Sequence, residues 1–78
     1  MSDVFGRRLR AYRKLKHWTQ ADLARRVGVS VAIIGGLERG TRTPTKEQLS
    51  SFVTVLDASE EELGMSEKQA SAKNGFLV

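Results

Sequence analysis

The sequence predicts an all-α fold, a compact domain of five short helices. Apolar residues recur at three- and four-residue intervals in successive segments, which is the period of one helical face. Ser or Thr precedes most of these segments and Gly follows several of them, as expected for helix caps. The 78 residues include one Pro and no Cys, so one small core must hold the fold together by packing alone.

The first helix is predicted over residues 3–16, with Ser2 as its N-cap. Its inward face follows the helical period and consists of Phe5, Leu9, Tyr12 and Leu15. Its other faces carry the basic residues Arg7, Arg8, Arg10, Lys14 and Lys16.

The second helix is predicted from Gln20 to Val27. Thr19 and Asp22 have the spacing of a capping box at its start. Gly28 is expected to end it in the left-handed conformation that glycine adopts at low cost.

The third helix is predicted from Val31 to Arg39, capped by Ser30 and ended by Gly40. Only the three residues 28–30 separate it from the second helix. Two helices joined by so short a connection with a glycine are typical of a helix-turn-helix unit.

A fourth helix is predicted to begin at Thr45, with Gln48 in the capping-box position. Ser59 and Glu62 repeat this spacing and predict a short fifth helix that ends at Gly64. The predicted domain therefore spans residues 1–64. Residues 65–78 form a polar C-terminal tail with an apolar end, 76–78.

Charge is distributed unevenly along the chain. Residues 1–42 contain ten Lys and Arg against three acidic residues, a net +7, whereas residues 43–78 contain three against six, a net −3. A basic region of this kind attracts phosphate backbones, which makes nucleic acid the leading partner class. A solvated basic surface without a polyanionic partner is the alternative.

Several classes of function are disfavoured by composition. With no Cys and the single His17, a metal site or an imidazole relay is not expected. No paired carboxylates or activated nucleophile are evident, so we expect neither an enzyme nor a cofactor. No apolar run approaches the ~18 residues of a membrane span, and no signal peptide is evident, so a cytoplasmic location is expected.

Residues 19–24 read TQADLA, residues 27–30 read VGVS, and residues 37–40 read LERG, with Ile34 between the last two. These motifs and their mutual distances resemble the lambda repressor and Cro family of helix-turn-helix proteins, also called the xenobiotic-response-element family. The resemblance covers roughly residues 4–63. It implies a DNA-binding domain whose third helix enters the major groove.

By this resemblance the DNA-contacting residues are Thr19, Gln20, Ser30, Val31, Ala32, Gly36, Arg39, Arg42 and Lys46. Gln20 at the second helix and the cations after the third helix match family contacts to the sugar-phosphate backbone. Plain helix-start and solvated-charge roles remain the alternatives for these residues. Arg13 and Glu38 match a mostly buried ion pair, with a phosphate contact as the alternative for Arg13.

The match also assigns roles to two residues between the first and second helices. Trp18 lies where the family has a large apolar core residue. His17 occupies a helix-ending position where relatives often carry glycine.

The third helix departs from the family pattern. Of the residues that face base edges by the match, only Ser30 has a polar side chain, so Val31 and Ala32 offer chiefly apolar contact with thymine methyl groups. Glycines at 35 and 36 cost roughly 1 kcal/mol each against alanine in a helix interior. Direct reading of base sequence is therefore weakened.

The predicted function is a DNA-binding transcriptional regulator, a repressor or an autoregulating antitoxin, acting on double-stranded DNA as a homodimer. The dimer contact is expected in the C-terminal helices, at Leu63, or in the tail at residues 76–78, with a frayed end as the alternative for the tail. A toxin partner, the operator and any effector are not specified by the sequence. The alternative function is a protein-interaction module with the helix-turn-helix fold but without sequence-specific DNA recognition.

Overall fold

A computed structural model of the chain describes residues 3–65. The described part contains four helices and no strand. They are α1 (Asp3–Leu15), α2 (Gln20–Val27), α3 (Val31–Arg39) and α4 (Lys46–Leu56). The all-α prediction is confirmed, and the bounds of α2 and α3 are those predicted from the sequence.

The predicted fifth helix is wrong, because Ser59–Gly64 forms a hydrogen-bonded turn instead. Its capping box is present, since the Ser59 N–H donates to Glu62 Oε1 at 2.8 Å and the Glu62 N–H to Ser59 Oγ at 3.0 Å. Gly64 then leaves the helical region with a φ of 81°. Only the bond from the Leu63 N–H to the Ser59 carbonyl closes an α-helical turn here, and one such bond does not offset the cost of helix nucleation.

The core is built from ten buried apolar residues contributed by all four helices and by the C-terminal turn. They are Phe5, Leu9, Leu23, Ala24, Ile34, Leu37, Phe52, Leu56, Ala58 and Leu63. The rings of Phe5 and Phe52 meet at a centroid distance of 5.9 Å, which joins α1 to α4. Leu63 is fully buried within its own chain, so it is not available as the dimer contact that the sequence predicted.

Helices α1 and α3 approach each other closely at Gly6. A Cβ atom there would lie 2.5 Å from the Leu37 carbonyl oxygen and 2.6 Å from that of Glu38. Any larger residue would force the two backbones apart. The glycine therefore lets α1 lie against α3 and brings Arg13 of α1 beside Glu38.

The connection between α2 and α3 is the predicted helix-turn-helix turn. Gly28 caps α2 in the left-handed conformation, with a φ of 76°, and its N–H donates to the Ala24 carbonyl. Ser30 then caps α3, because its Oγ accepts a hydrogen bond from the Ile33 N–H at 3.2 Å. This short turn fixes the direction in which α3 leaves α2.

The α1–α2 connection contains a non-glycine residue in the left-handed region, His17, with a φ of 62°. Trp18 follows it and packs against the core while remaining partly exposed. The Arg26 guanidinium lies 4.2 Å from the centre of the Trp18 ring. Trp18 is thus an edge residue of the core, with a cation stacked on it.

The predicted N-cap Ser2 and residues 66–78 of the predicted tail lie outside the described residues. The apolar end at residues 76–78 belongs to this part of the chain.

Candidate nucleic-acid interface

Helix α3 has one face in the core and one face exposed. Ile34, Leu37 and Glu38 are buried. Ser30, Val31 and Ala32 are exposed at its N-terminal end. Val31 has 46% of its surface exposed to solvent. The structure therefore brings these three predicted DNA-contacting residues together on one accessible surface.

A buried ion pair holds the opposite side of α3 to α1. Arg13 donates from Nε to Glu38 Oε2 at 2.7 Å and from Nη2 to Glu38 Oε1 at 3.0 Å. Arg13 also donates from Nη1 to the Trp18 carbonyl at 2.9 Å. This two-pronged contact fixes the rotation of α3 relative to α1, and it connects α3 to the start of α2.

Two further side chains converge on Glu38. Gln20 donates from Nε2 to Glu38 Oε1 at 3.1 Å, and Arg10 approaches the same oxygen at 3.5 Å. Gln20 and Thr19 lie at the N-terminus of α2, where the first N–H groups have no acceptor inside the helix. The Gln20 amide is thus tied to the ion pair while its backbone lies at the positive end of a helix dipole.

The pKa of Glu38 reflects these contacts. Burial alone raises its pKa, but the hydrogen bonds from Arg13 and Gln20 and the charge of Arg13 outweigh burial and leave the pKa below its ordinary value. The hydrogen bond to Glu38 is also the main reason that the pKa of Arg13 is raised. Both groups are therefore charged at neutral pH.

Thr19 is engaged in the capping box of α2. Its Oγ1 accepts from the Asp22 N–H at 3.0 Å, and its own N–H donates to Asp22 Oδ2 at 2.9 Å. Asp22 also accepts from Arg25 at 2.6 Å. The hydrogen bond from the Thr19 backbone, followed by that from Arg25, lowers the pKa of Asp22.

The predicted backbone-contacting cations lie at the C-terminal end of α3 and beyond it. Arg39, Arg42 and Lys46 are all exposed. The Arg39 Nη1 atom is 3.0 Å from the position a Cβ would take on Gly35, and the Arg42 Cδ atom is 2.8 Å from the corresponding position on Gly36. These arginines cover the two glycines, which explains why both are buried on an otherwise accessible side of α3.

A second basic surface, which the sequence analysis did not single out, lies on α1. An open depression is lined by Arg7, Arg10, Ala11, Lys14 and Glu38. The signal was present in the sequence, because Arg7, Arg10 and Lys14 follow the three- and four-residue spacing of one helical face. Arg10 connects this depression to the Arg13–Glu38 pair.

Residues 3–65 contain no group of three or more acidic or His side chains placed to share a metal ion. In the same part of the chain, no helix has the combination of length and apolar character needed to cross a membrane.

Comparison with known proteins identifies relatives over most of the chain. The chain is 43% identical over 67 residues to YazB of Bacillus subtilis (strain 168), which is named an HTH-type transcriptional regulator; the match covers 86% of this chain and 97% of YazB. The structure is similar to the restriction-modification controller protein C.AhdI from Aeromonas hydrophila, with a TM-score of 0.74 and 35% identity over 80% of this chain and 94% of that one. It is also similar to the clp gene regulator ClgR from C. glutamicum, with a TM-score of 0.73 and 30% identity over 91% and 92% of the two chains.

The helix-turn-helix family model HTH_3 matches residues 9–63, which include α2, the glycine turn and α3. The resemblance drawn from the TQADLA, VGVS and LERG motifs is confirmed. This chain belongs to the helix-turn-helix family.

Proposed function

We propose that this chain is a DNA-binding transcriptional regulator that inserts α3 into the major groove of duplex DNA. The observation that carries the proposal is the construction of α3. One face is fixed by the buried Arg13–Glu38 pair, and the other is exposed beside Arg39, Arg42 and Lys46. The net +7 of residues 1–42 and the names of the similar proteins support the same function.

The proposed contacts divide into two kinds. Thr19 and Gln20 meet the sugar-phosphate backbone at the N-terminus of α2, where helix dipole and N–H groups favour a phosphate. Arg39 meets it at the C-terminal end of α3, and Lys46 meets it at the start of α4. Ser30, Val31, Ala32 and Gly36 lie on the side of α3 that faces base edges. Such backbone contacts position a protein on DNA, whereas contacts to base edges give specificity.

Repression is the proposed mode of regulation, because a domain bound over a promoter excludes other proteins from that DNA. An antitoxin that represses its own operon is a member of this class, and it would add a toxin as partner. Neither role requires a catalytic residue or a cofactor. A cytoplasmic location follows from the DNA partner.

A homodimer is the proposed binding unit, because one module of this size buries too little surface for tight specific binding. Since Leu63 is buried within its own chain, the tail after Met65 becomes the proposed dimer contact. Sedimentation of the full chain and of a chain ending at Met65 tests this. We expect weaker self-association in the shorter chain, and equal association constants would rule out the tail contact.

A protein-interaction module is the second candidate function. The observation in its favour is the apolar character of the start of α3, where Val31 is 46% exposed and Ala32 follows it. A partner helix could cover this surface. Failure of the chain to bind duplex DNA even at low salt would favour this function over DNA recognition.

The proposed function is tested by titrating duplex binding against salt. Each lost phosphate contact should lower the magnitude of the slope of log K against log salt by roughly one. We expect Arg39→Ala and Lys46→Ala each to do so, with a similar loss of affinity on all duplexes. Arg8→Ala is the matched control, because Arg8 donates to the Glu62 carbonyl at the C-terminal turn. A control slope as low as those of the two variants would contradict a backbone-binding surface at α3.

A further inference from the structure

Gly36 and Arg42 form a close contact on the accessible side of α3. A Cβ atom on Gly36 would lie 2.8 Å from Arg42 Cδ, 3.0 Å from Cγ and 3.3 Å from Nε. The stem of Arg42 therefore occupies the space in which another residue at position 36 would have its own side chain.

The loop that carries Arg42 is fixed to the same residue. The Thr41 N–H and the Thr41 Oγ1 both donate to the Gly36 carbonyl, at 3.0 and 3.2 Å. Gly40 is left-handed, and its N–H donates to the Leu37 carbonyl at 3.2 Å. Arg42 thus begins one residue beyond a backbone anchored to the last turn of α3.

The guanidinium group of Arg42 has no hydrogen-bond or ion-pair partner among residues 3–65. The side chain is exposed. Its stem is thus held against a helix while its five N–H donors remain available. A side chain restrained in this way loses less conformational freedom on binding than a free arginine does.

The position of its stem distinguishes Arg42 from Arg39. Gly36 lies one helical turn from Ala32, so the two positions share a row on α3. Arg42 therefore lies over one position, Gly36, of the row whose N-terminal end is the exposed surface of Ala32. Arg39 is different, since its guanidinium end lies against Gly35 of its own helix.

The same row lacks a hydrogen-bonding side chain of its own. Ser30 supplies the polar side chain at the N-terminal end of α3, and its Oγ already accepts from the Ile33 N–H. Sequence alone predicts a backbone contact for Arg42.

We propose instead that Arg42, laid across Gly36, is a specificity-determining residue that reads a guanine in the major groove. Two parallel N–H groups of a guanidinium match the O6 and N7 acceptors of guanine. This inference rests on the proposed DNA-binding function. It assigns to a loop residue the hydrogen-bonded base recognition for which α3 has few polar side chains.

The test begins with a duplex selected by the full-length chain from random sequences. Its guanines are replaced one at a time, with their partner bases, and dissociation constants are measured for each duplex. We expect one replacement in each half-site to weaken binding on the order of tenfold, as a bidentate contact requires. In Arg42→Lys we expect that discrimination to fall to about twofold or less, because lysine keeps the charge but not the fork.

Two further variants separate a base contact from a phosphate contact. Gly36→Ala leaves Arg42 in the chain but displaces its stem, so it should lose the same discrimination while the domain stays folded, alanine being the better helix former. Arg8→Lys is the control, because Arg8 donates to the Glu62 carbonyl at the C-terminal turn, outside the proposed interface, and it should keep full discrimination. All of the variants should retain binding to unselected duplex with a similar salt slope.

The outcomes also separate this inference from the proposed function. If the unmodified chain showed no salt-dependent binding to duplex DNA, that result would contradict the DNA-binding function itself. Binding with a guanine preference that survives in Arg42→Lys, or no guanine preference at all, would overturn only the role of Arg42. A uniform loss across all duplexes in Arg42→Lys would also overturn it.

Discussion

At the residue scale, Glu38 is the side chain on which the hydrogen bonds that hold the site converge. It receives Arg13, Gln20 and Arg10 from two different helices while its side chain is fully buried. The desolvation of such a pair offsets most of its Coulomb attraction, so its net contribution to stability is small compared with the cost of breaking it. Its main effect is to fix the orientation of α3.

Glu38→Gln should destabilise the fold and change its response to acid. Loss of one charge leaves Arg13 buried and unpaired, which we expect to lower the free energy of unfolding at neutral pH by about 3 kcal/mol. Because the pKa of Glu38 is lowered in the folded chain, the unfolded chain binds more protons between that value and about 4.3, and stability there rises with pH. This contribution is present above about pH 4.3 and disappears as pH falls through the folded pKa.

Urea unfolding from pH 7 to pH 2 measures this effect. The unmodified chain should lose more stability over the acid range than Glu38→Gln does. Asp22 also has a lowered pKa, so stability should still depend on acid pH in Glu38→Gln. This dependence should decrease further when Asp22→Asn is added to Glu38→Gln. Parallel curves for Glu38→Gln and the unmodified chain would contradict the role of Glu38.

His17→Gly should stabilise the fold. The left-handed φ of 62° at His17 costs an L-residue about 1 kcal/mol, which glycine does not incur. The greater freedom of glycine in the unfolded chain offsets part of this gain. We therefore expect a rise of a few degrees in the thermal midpoint, measured by circular dichroism. His17→Ala is the control, and a midpoint equal to that of His17→Gly would contradict the strain at this residue.

At the scale of elements, the helices could be predicted because their signals are local. Thr19, Ser30 and Thr45 each cap the helix that follows them through the predicted side-chain contact. The segment after Ser59 has the same local signal, yet it remains a turn because Gly64 ends it too soon. Capping chemistry marks where a helix starts, but length decides whether it propagates.

The parts of the site that could not be predicted depend on tertiary contacts. Gly6 reads as a weak point in a helix, and only the packed α3 backbone reveals why a glycine is needed there. In the sequence, Gly36 is a position without a side chain to contact a base. Only the structure shows that the Arg42 stem lies over it. No residue spacing in the sequence predicts the contact at Gly6 or the contact at Gly36, since both depend on how separate elements pack together.

Helix α3 should also read thymine through its apolar end. Val31 is exposed, and loss of contact with one methyl group is worth about 0.8 kcal/mol, or roughly fourfold in affinity. Replacing the contacted thymine by uracil in the selected duplex should produce that loss in the unmodified chain and little loss in Val31→Ser. Fluorescence anisotropy measures both. An identical uracil effect in the two proteins would place the methyl contact elsewhere.

At the scale of the whole molecule, charge is distributed unevenly along the chain. The basic residues of the first 42 positions supply the α1 depression and the arginines over α3. The acidic C-terminal turn, with Glu60, Glu61 and Glu62 exposed, lies beyond α4. Such an uneven distribution steers a polyanion toward the basic residues of α1 and α3 and makes its binding dependent on salt.

The central claim is that α3 and its arginines bind duplex DNA in a sequence-selective way. Selection of bound sequences from random duplex DNA at two salt concentrations tests it most directly. We expect the same consensus to be enriched at both concentrations, with two-fold symmetry and a guanine in each half-site, while overall affinity falls as salt rises. Binding without any enriched sequence, abolished by the higher salt, would contradict the claim.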